Sequence, residues 1–397
     1  MLPVTTVEVG AFTGLTLDDP VKGELDAYPL DGDVVFTELT GKVFGVSVAR
    51  GKNRDLDRSQ AGTLSVQLRN EDRSFDPRNP AGAFTDFVVP RRPVRVFTGG
   101  SPVFRGLIDD WNLAYSPGGE AVASLDASDE FALFARQVNG GGSVVAQASN
   151  VRLEAVLNQT TVNWPADRRD IEPGNTTLAA GFLEDNVLNY IQQIDESEQG
   201  LVFMSKTGDV AFRPRLESIA GTAVVFSDDG TGVPYEQVLV TYGSETLTNR
   251  STVSSVAGTA TANNATSQVT FGITERDFET LLSTQTQLQS LADYVLARYG
   301  TPEYRFENIT VNLQALGSAQ IADVLGAEIG EQVEVVFTPP GGGSAITQRS
   351  LILGISHDIG VDDHRVSFSL QELPFQFFIL DDPEFGILDS SDAILGF

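Results

Sequence analysis

The feature that most constrains this chain is a three-strand pattern that occurs twice. The first copy is Pro-Val-Arg-Val-Phe at 93–97, Phe-Arg-Gly-Leu-Ile-Asp-Asp-Trp at 104–111 and Ala-Val-Ala-Ser-Leu at 121–125. The second is Gln-Val-Glu-Val-Val-Phe at 332–337, Leu-Ile-Leu-Gly-Ile-Ser-His-Asp-Ile at 351–359 and Arg-Val-Ser-Phe-Ser-Leu at 365–370. In each, a strand passes through a Gly/Pro-rich turn into a strand with Gly near its start, and a further turn leads to a third strand. Read as a duplication, the pattern predicts two similar β bodies, and three such chains can occupy a six-fold ring. Read as coincidence, it predicts two unrelated meanders, which are common.

A chain of 397 residues that is 41% hydrophobic has room for roughly two to four packed domains. Cys is absent and only two His occur. Disulfides, thiolate metal sites and Cys nucleophiles are thereby excluded, and His-based ligation nearly so. The formal net charge of −28 argues against affinity for phosphate backbones and for anionic membranes. Basic residues are unevenly placed: positions 50–105 hold eleven of the 26, against six acids. An acidic partner could dock on that stretch, although each charge taken singly reads as part of a solvated face. The N-terminal residues show no basic region leading into an apolar core, so no secretory signal is expected. No apolar run approaches the roughly twenty residues of a membrane helix.

Along the chain, residues 1–33 read as an arm, 34–139 as a first β domain, 140–221 as an inserted α+β module, 222–372 as a second β domain with one helix at 284–299, and 373–397 as a tail. The fold class is mainly β (α+β). Residues 34–48 read as a hairpin around Gly41 and Gly45. Leu64, Val66 and Leu68 alternate with polar residues, so that strand is half buried. Gly140-Gly-Gly-Ser143 marks a flexible break. Apolar residues recur at helical spacing over 183–195, and residues 201–204 and 210–212 form a hairpin about a Gly-Asp turn. The uncharged stretch 251–274 suits long strands or a low-complexity loop. Gly300 fits the position just past the 284–299 helix. The tail combines Phe375, Phe377, Phe378, Ile379 and Leu380 with several acids, a composition that seeks cover on its own body or on another subunit.

The search for chemistry is nearly empty. His357-Asp358 and Asp363-His364 flank a hairpin turn, where two imidazoles and two carboxylates could hold a divalent cation; the preferred reading is polar residues at a hairpin end and no metal site. Asn70, Asp72, Ser74 and Asp76 have the oxygen spacing of a Ca²⁺ loop, but Phe75 stands where a Gly is needed and Ala81 where a bidentate Glu belongs. A turn held by side-chain-to-backbone bonds fits better. No nucleophile-elbow, zincin or phosphate-loop pattern occurs. No catalytic residue and no cofactor are expected.

The stretch 62–80, a strand ending in Asn-Glu-Asp-Arg-Ser-Phe-Asp-Pro, resembles a segment of minor tail proteins of siphophages that infect actinobacteria. Residues 91–97 and 104–111 resemble the next strands of that family, and 183–213 and 379–389 are similar to later parts of it. The resemblance implies two tail-tube-like β domains, barrels or sandwiches, with a small α+β module inserted between them. It also implies a homotrimeric tail hub at the tip of the virion tail, made in the host cytoplasm. Implied partners are the tail tube or distal tail protein, the tape measure protein and tail-tip or fibre proteins, with genomic DNA passing without specific binding. Expected contact residues are the five apolar tail residues named above, with Arg91 and Arg92 on the basic stretch. The channel wall is expected to be acidic or neutral. Two other classes stay open: a tail-associated wall-degrading enzyme and a receptor-binding β adhesin.

Overall fold

The computed structural model describes residues 2–12, 34–215 and 224–373, with a further strand pair near the C-terminal end. Seven strands come first: β1 (Thr5–Phe12), β2 (Val34–Glu38), β3 (Val43–Gly51), β4 (Thr63–Arg69), β5 (Pro93–Thr98), β6 (Ser101–Tyr115) and β7 (Ala121–Ser128). A mixed segment follows. It holds α1 (Phe131–Phe134), β8 (Ser143–Val144), β9 (Gln147–Ala148), α2 (Ser149–Leu157), β10 (Arg169–Ile171), β11 (Thr177–Leu178), β12 (Gly181–Phe182), α3 (Val187–Glu198), β13 (Leu201–Met204) and β14 (Val210–Arg213). The remainder begins with β15 (Val224–Ser227), β16 (Gln237–Tyr242), β17 (Arg250–Ser255), β18 (Gly258–Asn263), α4 (Ala265–Phe271), β19 (Glu275–Glu279) and α5 (Gln285–Tyr299). It ends with β20 (Tyr304–Asn312), α6 (Ser318–Gly326), β21 (Gln332–Phe337), β22 (Ile346–Ile359) and β23 (His364–Glu372), and the small pair is β24 (Gln376–Phe377) with β25 (Ala393–Ile394).

The chain is mainly β, and its repeat is one of topology. In space the first body runs β5-β6-β7-β4-β3 and the second β21-β22-β23-β20-β16. Both use their strands in the same chain order. A bulge interrupts β6–β7 between Ile108 and Asp110, and another interrupts β22–β23 between Ile352 and Gly354. The glycines near the two strand starts are not equivalent: Gly106 precedes its bulge and pairs with Val94, whereas Gly354 follows its own. One core lies under the first body, built around Val66, Leu125, Phe75 and Phe104, and a second under the other, around Phe226, Phe306, Ile352 and Phe368. The sheet is open, with β16 and β2 at the ends of its main path.

The two bodies share that one sheet because β3 pairs antiparallel with the second half of β22, from Gly354–Gly51 to Ile359–Val46. The first half of β22 pairs with β21. Backbones approach closely at the switch. A Cβ on Gly51, whose φ is +82°, would lie 2.3 Å from the Leu353 carbonyl oxygen, and one on Gly354 would lie 2.6 Å from that of Lys52. Beside the seam, buried Arg50 donates to Glu328 Oε1 at 2.9 Å and to the Met204 carbonyl at 3.4 Å. Lys206 donates to three carbonyls at the end of α6, those of Leu325, Gly326 and Ala327. The inserted segment, with its own core of α2, α3 and β13–β14, is thus fastened to both bodies.

Several expectations change. Part of the anticipated arm is β1, which sits between β5 and β2. Residues 34–48 do not form a hairpin: β2 pairs with β1, while β3 pairs with β4 and β22, because a 3-10 turn at Thr40–Lys42 redirects the chain. The helix expected from 183 begins at Val187, where the Asn186 side chain accepts from the Leu188 and Asn189 amides and caps it. Residues 222–372 hold three helices rather than one; α5 begins behind the N-cap Thr284 with a capping box, and α4 fills part of the uncharged stretch. Gly300 has φ −69°, so it is required by space and not by handedness: a Cβ there would lie 2.3 Å from the Leu296 carbonyl oxygen.

The seam sets a stability test. Gly51→Ala and Gly354→Ala should each cost about 2 kcal/mol or more in chemical denaturation, since a Cβ cannot be seated without moving a paired strand. Gly41→Ala, which meets open space, should stay within about 0.5 kcal/mol of the parent. Equal unfolding midpoints for all three variants would show that the pairing tolerates side chains at the switch.

Candidate functional site

Strand alternation gives the large sheet one apolar and one polar face. Successive pairings trace rows of side chains across both bodies. One polar row runs Asp110, Asp126, Ser65, Ser47, Asp358, Arg365, Asn312. Its neighbour runs Ser128, Thr63, Ala49, Ser356, Ser367, Thr310, Gln237. Each row crosses the β3–β22 seam without a break. The rows carry three aspartates and one arginine among short hydroxyl and amide side chains.

These groups largely satisfy one another. Ser65 Oγ donates to Asp126 Oδ1 at 2.8 Å and Asn112 Nδ2 to Asp126 Oδ2 at 2.9 Å. Ser128 Oγ donates to Asp109 at 2.5 Å, and the hydroxyls of Thr310 and Ser367 lie 2.9 Å apart. Arg365 is held by Glu236 at 2.8 Å and by Asp363. Short polar groups are thus tied across neighbouring strands, and the one arginine in these rows is neutralised.

The candidate metal residues do not converge. His357 and His364 are buried on the apolar face, Nδ1 to Nε2 at 3.0 Å. Asp358 lies on the polar face opposite Arg365, and Asp363 accepts from Asn312 Nδ2 at 3.2 Å and pairs with Arg365. Among the described residues, no three His, Asp or Glu come together as a metal-binding group. The loop after β4 is held by side-chain-to-backbone bonds: Asp72 accepts from the Ser74 amide at 3.2 Å and Asp76 from Arg78 at 2.9 Å in Asx turns, and Asn70 Oδ1 accepts from the Phe75 amide at 3.0 Å across five residues. Phe75 needs the non-Gly position, since it is fully buried and stacks on Phe84 and Trp111.

The basic stretch is largely engaged within the chain. Arg50, Arg54, Arg58, Arg73 and Arg95 each pair with a carboxylate. Arg91 lies 3.7 Å from Asp109, and Arg92 donates to the Asp86 carbonyl at 3.5 Å. Phe375, Phe378, Ile379 and Leu380 fall outside the described residues, and Phe377 is described only as part of β24. Sequence reading missed the continuous polar face. Its signal was present in β4, where Thr63, Ser65 and Gln67 alternate with the core residues, but register across distant strands is not written in any one strand.

The buried ionisable groups give opposite pH dependences. Burial holds the His364 imidazole down to about 4, and burial together with the neighbouring His364 keeps His357 well below its usual value. An unfolded His takes up its proton near pH 6.5. The unfolded state therefore binds more protons between about 6.5 and 4, and stability falls as the pH falls through that window. Asp195 is pushed up to about 7 by burial and its Oδ1 has no hydrogen-bond partner. The folded state then binds more protons between about 4 and 7, so this group costs stability as the pH rises through 7. Asp195→Asn should raise the urea midpoint at pH 8 more than at pH 5. His364→Gln should flatten the acid-side loss by on the order of 2 kcal/mol. A midpoint-against-pH curve unchanged by either substitution would remove both groups from the account.

No protein-family model matches the chain, and no curated protein does. Solved structures do match. A tail protein from Neisseria meningitidis MC58 superposes with a TM-score of 0.60, covering 93% of this chain and 96% of that one at 12% identity. The 43 kDa tail protein of prophage MuSo2 from Shewanella oneidensis gives 0.57, with 93% and 96% covered at 11% identity. Both are likenesses of fold, and they extend over nearly the whole of this architecture.

Proposed function

We propose that this chain is a structural protein of a bacteriophage tail: a hub in which three copies place six β bodies around a channel at the tail tip. Residues 34–139 and 222–372 supply the bodies, and 140–221 the module between them. The observation that carries this reading is the five-strand ladder that both bodies share, in the same chain order and with matching bulges. A chain with two equivalent bodies converts three-fold assembly into six-fold pseudo-symmetry, which is what a part fitted onto a six-fold tube requires. The fold shared with a tail protein and with a prophage tail protein supports the same reading.

In this hub the polar sheet face lines the channel. Its two traced rows carry more acid than base, and their one arginine is held by two carboxylates, so these rows offer DNA few phosphate contacts. The tail tube or distal tail protein, the tape measure protein and tail-tip fibres are the neighbours. The apolar tail, with Phe375, Phe377, Phe378, Ile379 and Leu380, packs against one of them or against a neighbouring copy, where Arg91 and Arg92 offer polar contacts. Catalysis plays no part in the role.

The mass of the purified chain tests the reading, alone and after mixing with the tail-tube protein. Three copies per particle, and a six-lobed ring in projection images, are expected. A strictly monomeric chain that never joins a tube end would rule the hub out. Duplex DNA at low salt should produce no retarded band with the hub; retention that weakens with added salt would mean that the wall is cationic after all.

A further inference from the structure

The seam inside the chain is a template for a contact outside it. β6 corresponds to β22. Leu107 and Leu351 each pair with the first residue of the preceding strand, Pro93 and Gln332, and each is followed by Ile and then the bulge. Asp110 therefore corresponds to Gly354, and Tyr115 to Ile359. β3 corresponds to β16 by the same bookkeeping. From Val46 the pairings lead through Val66 and Leu125 to Trp111; from Val238 they lead through Ile309 and Phe368 to Ile355. Trp111 and Ile355 are themselves equivalent, so Val46 matches Val238.

In β22 the edge after the bulge is covered by β3. In β6 the equivalent edge is bare: the β5 side ends at Ile108, which exchanges backbone bonds with Arg91 and Arg92, and no strand among the described residues bonds to that side of 110–115. β16, the equivalent of β3, pairs with β20 alone and leaves its other edge open. The two bare edges are far apart within one chain, seven strands along the sheet. Both carry apolar side chains in the open, with Tyr115 52%, Leu239 48% and Tyr242 71% exposed. An uncovered edge of this kind is a ready template for another chain.

We propose that β16 of one copy completes the edge of β6 in the next copy, antiparallel and in the register of the internal seam. This rests on the hub reading and specifies the contact that closes its ring. Carrying over Ile355–Arg50, His357–Val48 and Ile359–Val46 gives the pairs Trp111–Tyr242, Leu113–Val240 and Tyr115–Val238. All three lie on the apolar face. Trp111 and Leu113 pack on the first core and Val238 and Val240 on the second, so the contact joins the cores of two copies as Ile355 and Ile359 join them within one. On the polar face the same register sets Thr241 against Asn112 and Leu239 against Ala114, which extends the channel wall across the subunit boundary. A second copy fits better than an unrelated strand, because the chain already contains this pairing with its own equivalents.

The chain has no Cys, so engineered thiols report cleanly. A chain carrying both Asn112→Cys and Thr241→Cys should oxidise to a covalent trimer on a denaturing gel, while Asn112→Cys with Gln237→Cys, off register, should not. Leu239→Lys, an exposed position that leaves each body intact, should weaken trimerisation by at least tenfold in sedimentation. Trimers that fail to crosslink in register and are indifferent to Leu239→Lys would overturn this contact and leave the hub reading standing. A chain that is folded by circular dichroism yet monomeric throughout would overturn both.

Discussion

The architecture depends on one strand pairing, β3 against the second half of β22. β22 is long enough, at 14 residues, to serve its own body with one half and the other body with the rest. The pairing turns two β bodies into one sheet of 13 strands and brings their cores edge to edge. It has a local condition: at the switch two backbones must come closer than any side chain permits, and Gly51 and Gly354 meet it together. The neighbouring Arg50–Glu328 pair is buried on the arginine side, so it contributes less as net attraction than as a constraint. Any displacement that parts the two charges leaves a cation stranded out of water.

The repeated bodies differ mainly in what their loops carry. Between the first and second ladder strands, the first body has a short connection, 52–62, and the second has the layer of β17–β19 with α4 and α5. Between the second and third, the first body has the Asx-turn loop and the second has α6. The insertions also return to the joint. Arg298 on α5 lies 3.3 Å from Asp55 in the first body's short loop, Tyr299 donates to the same carboxylate, and Arg276 reaches the Leu56 carbonyl at 3.2 Å. A loop of one body is thus gripped by the insertion of the other, which adds a second fastening beside the seam. Loop growth of this kind costs little in closure entropy once the ends are fixed by a sheet, so a duplicated body diverges there first.

What could be read from the sequence was whatever is encoded within a single element or a single turn. The two meanders, the half-buried β4, the 201–212 hairpin, the α5 helix and the Asx turns around Phe75 all have local signals: alternation, helical spacing, caps and short polar side chains next to Gly or Pro. The seam had none. Ile355, His357 and Ile359 look the same whether their strand is an edge or the centre of a sheet. β1 was missed for the same reason, since Thr5–Phe12 finds its partners at 34–38 and 94–98, across intervening chain that a local reading cannot bridge. The hairpin expected at 34–48 does not form, because β2 finds β1 and β3 finds β4, and proximity in sequence does not decide pairing. At the histidines, closeness along the chain suggested convergence, but alternation sends 357 and 358 to opposite faces of the sheet.

In the proposed hub, the polar face would give the channel a weakly acidic wall. Acidity spread over the whole molecule would keep copies soluble and apart before assembly. A wall along which a polyanion moves has a narrower requirement: no free cation to hold a phosphate, and no surplus of anions strong enough to oppose entry. Short side chains bonded to one another across strands go part of the way toward it. Ser65, Asp126 and Asn112 occupy each other, as do Thr310 and Ser367, and Arg365 is committed to two carboxylates. These groups already have their partners, so a passing strand gains little by stopping beside them. The same cross-strand bonds that stabilise the sheet thus make its surface indifferent to what slides over it, and the fold and the proposed passage draw on one set of contacts.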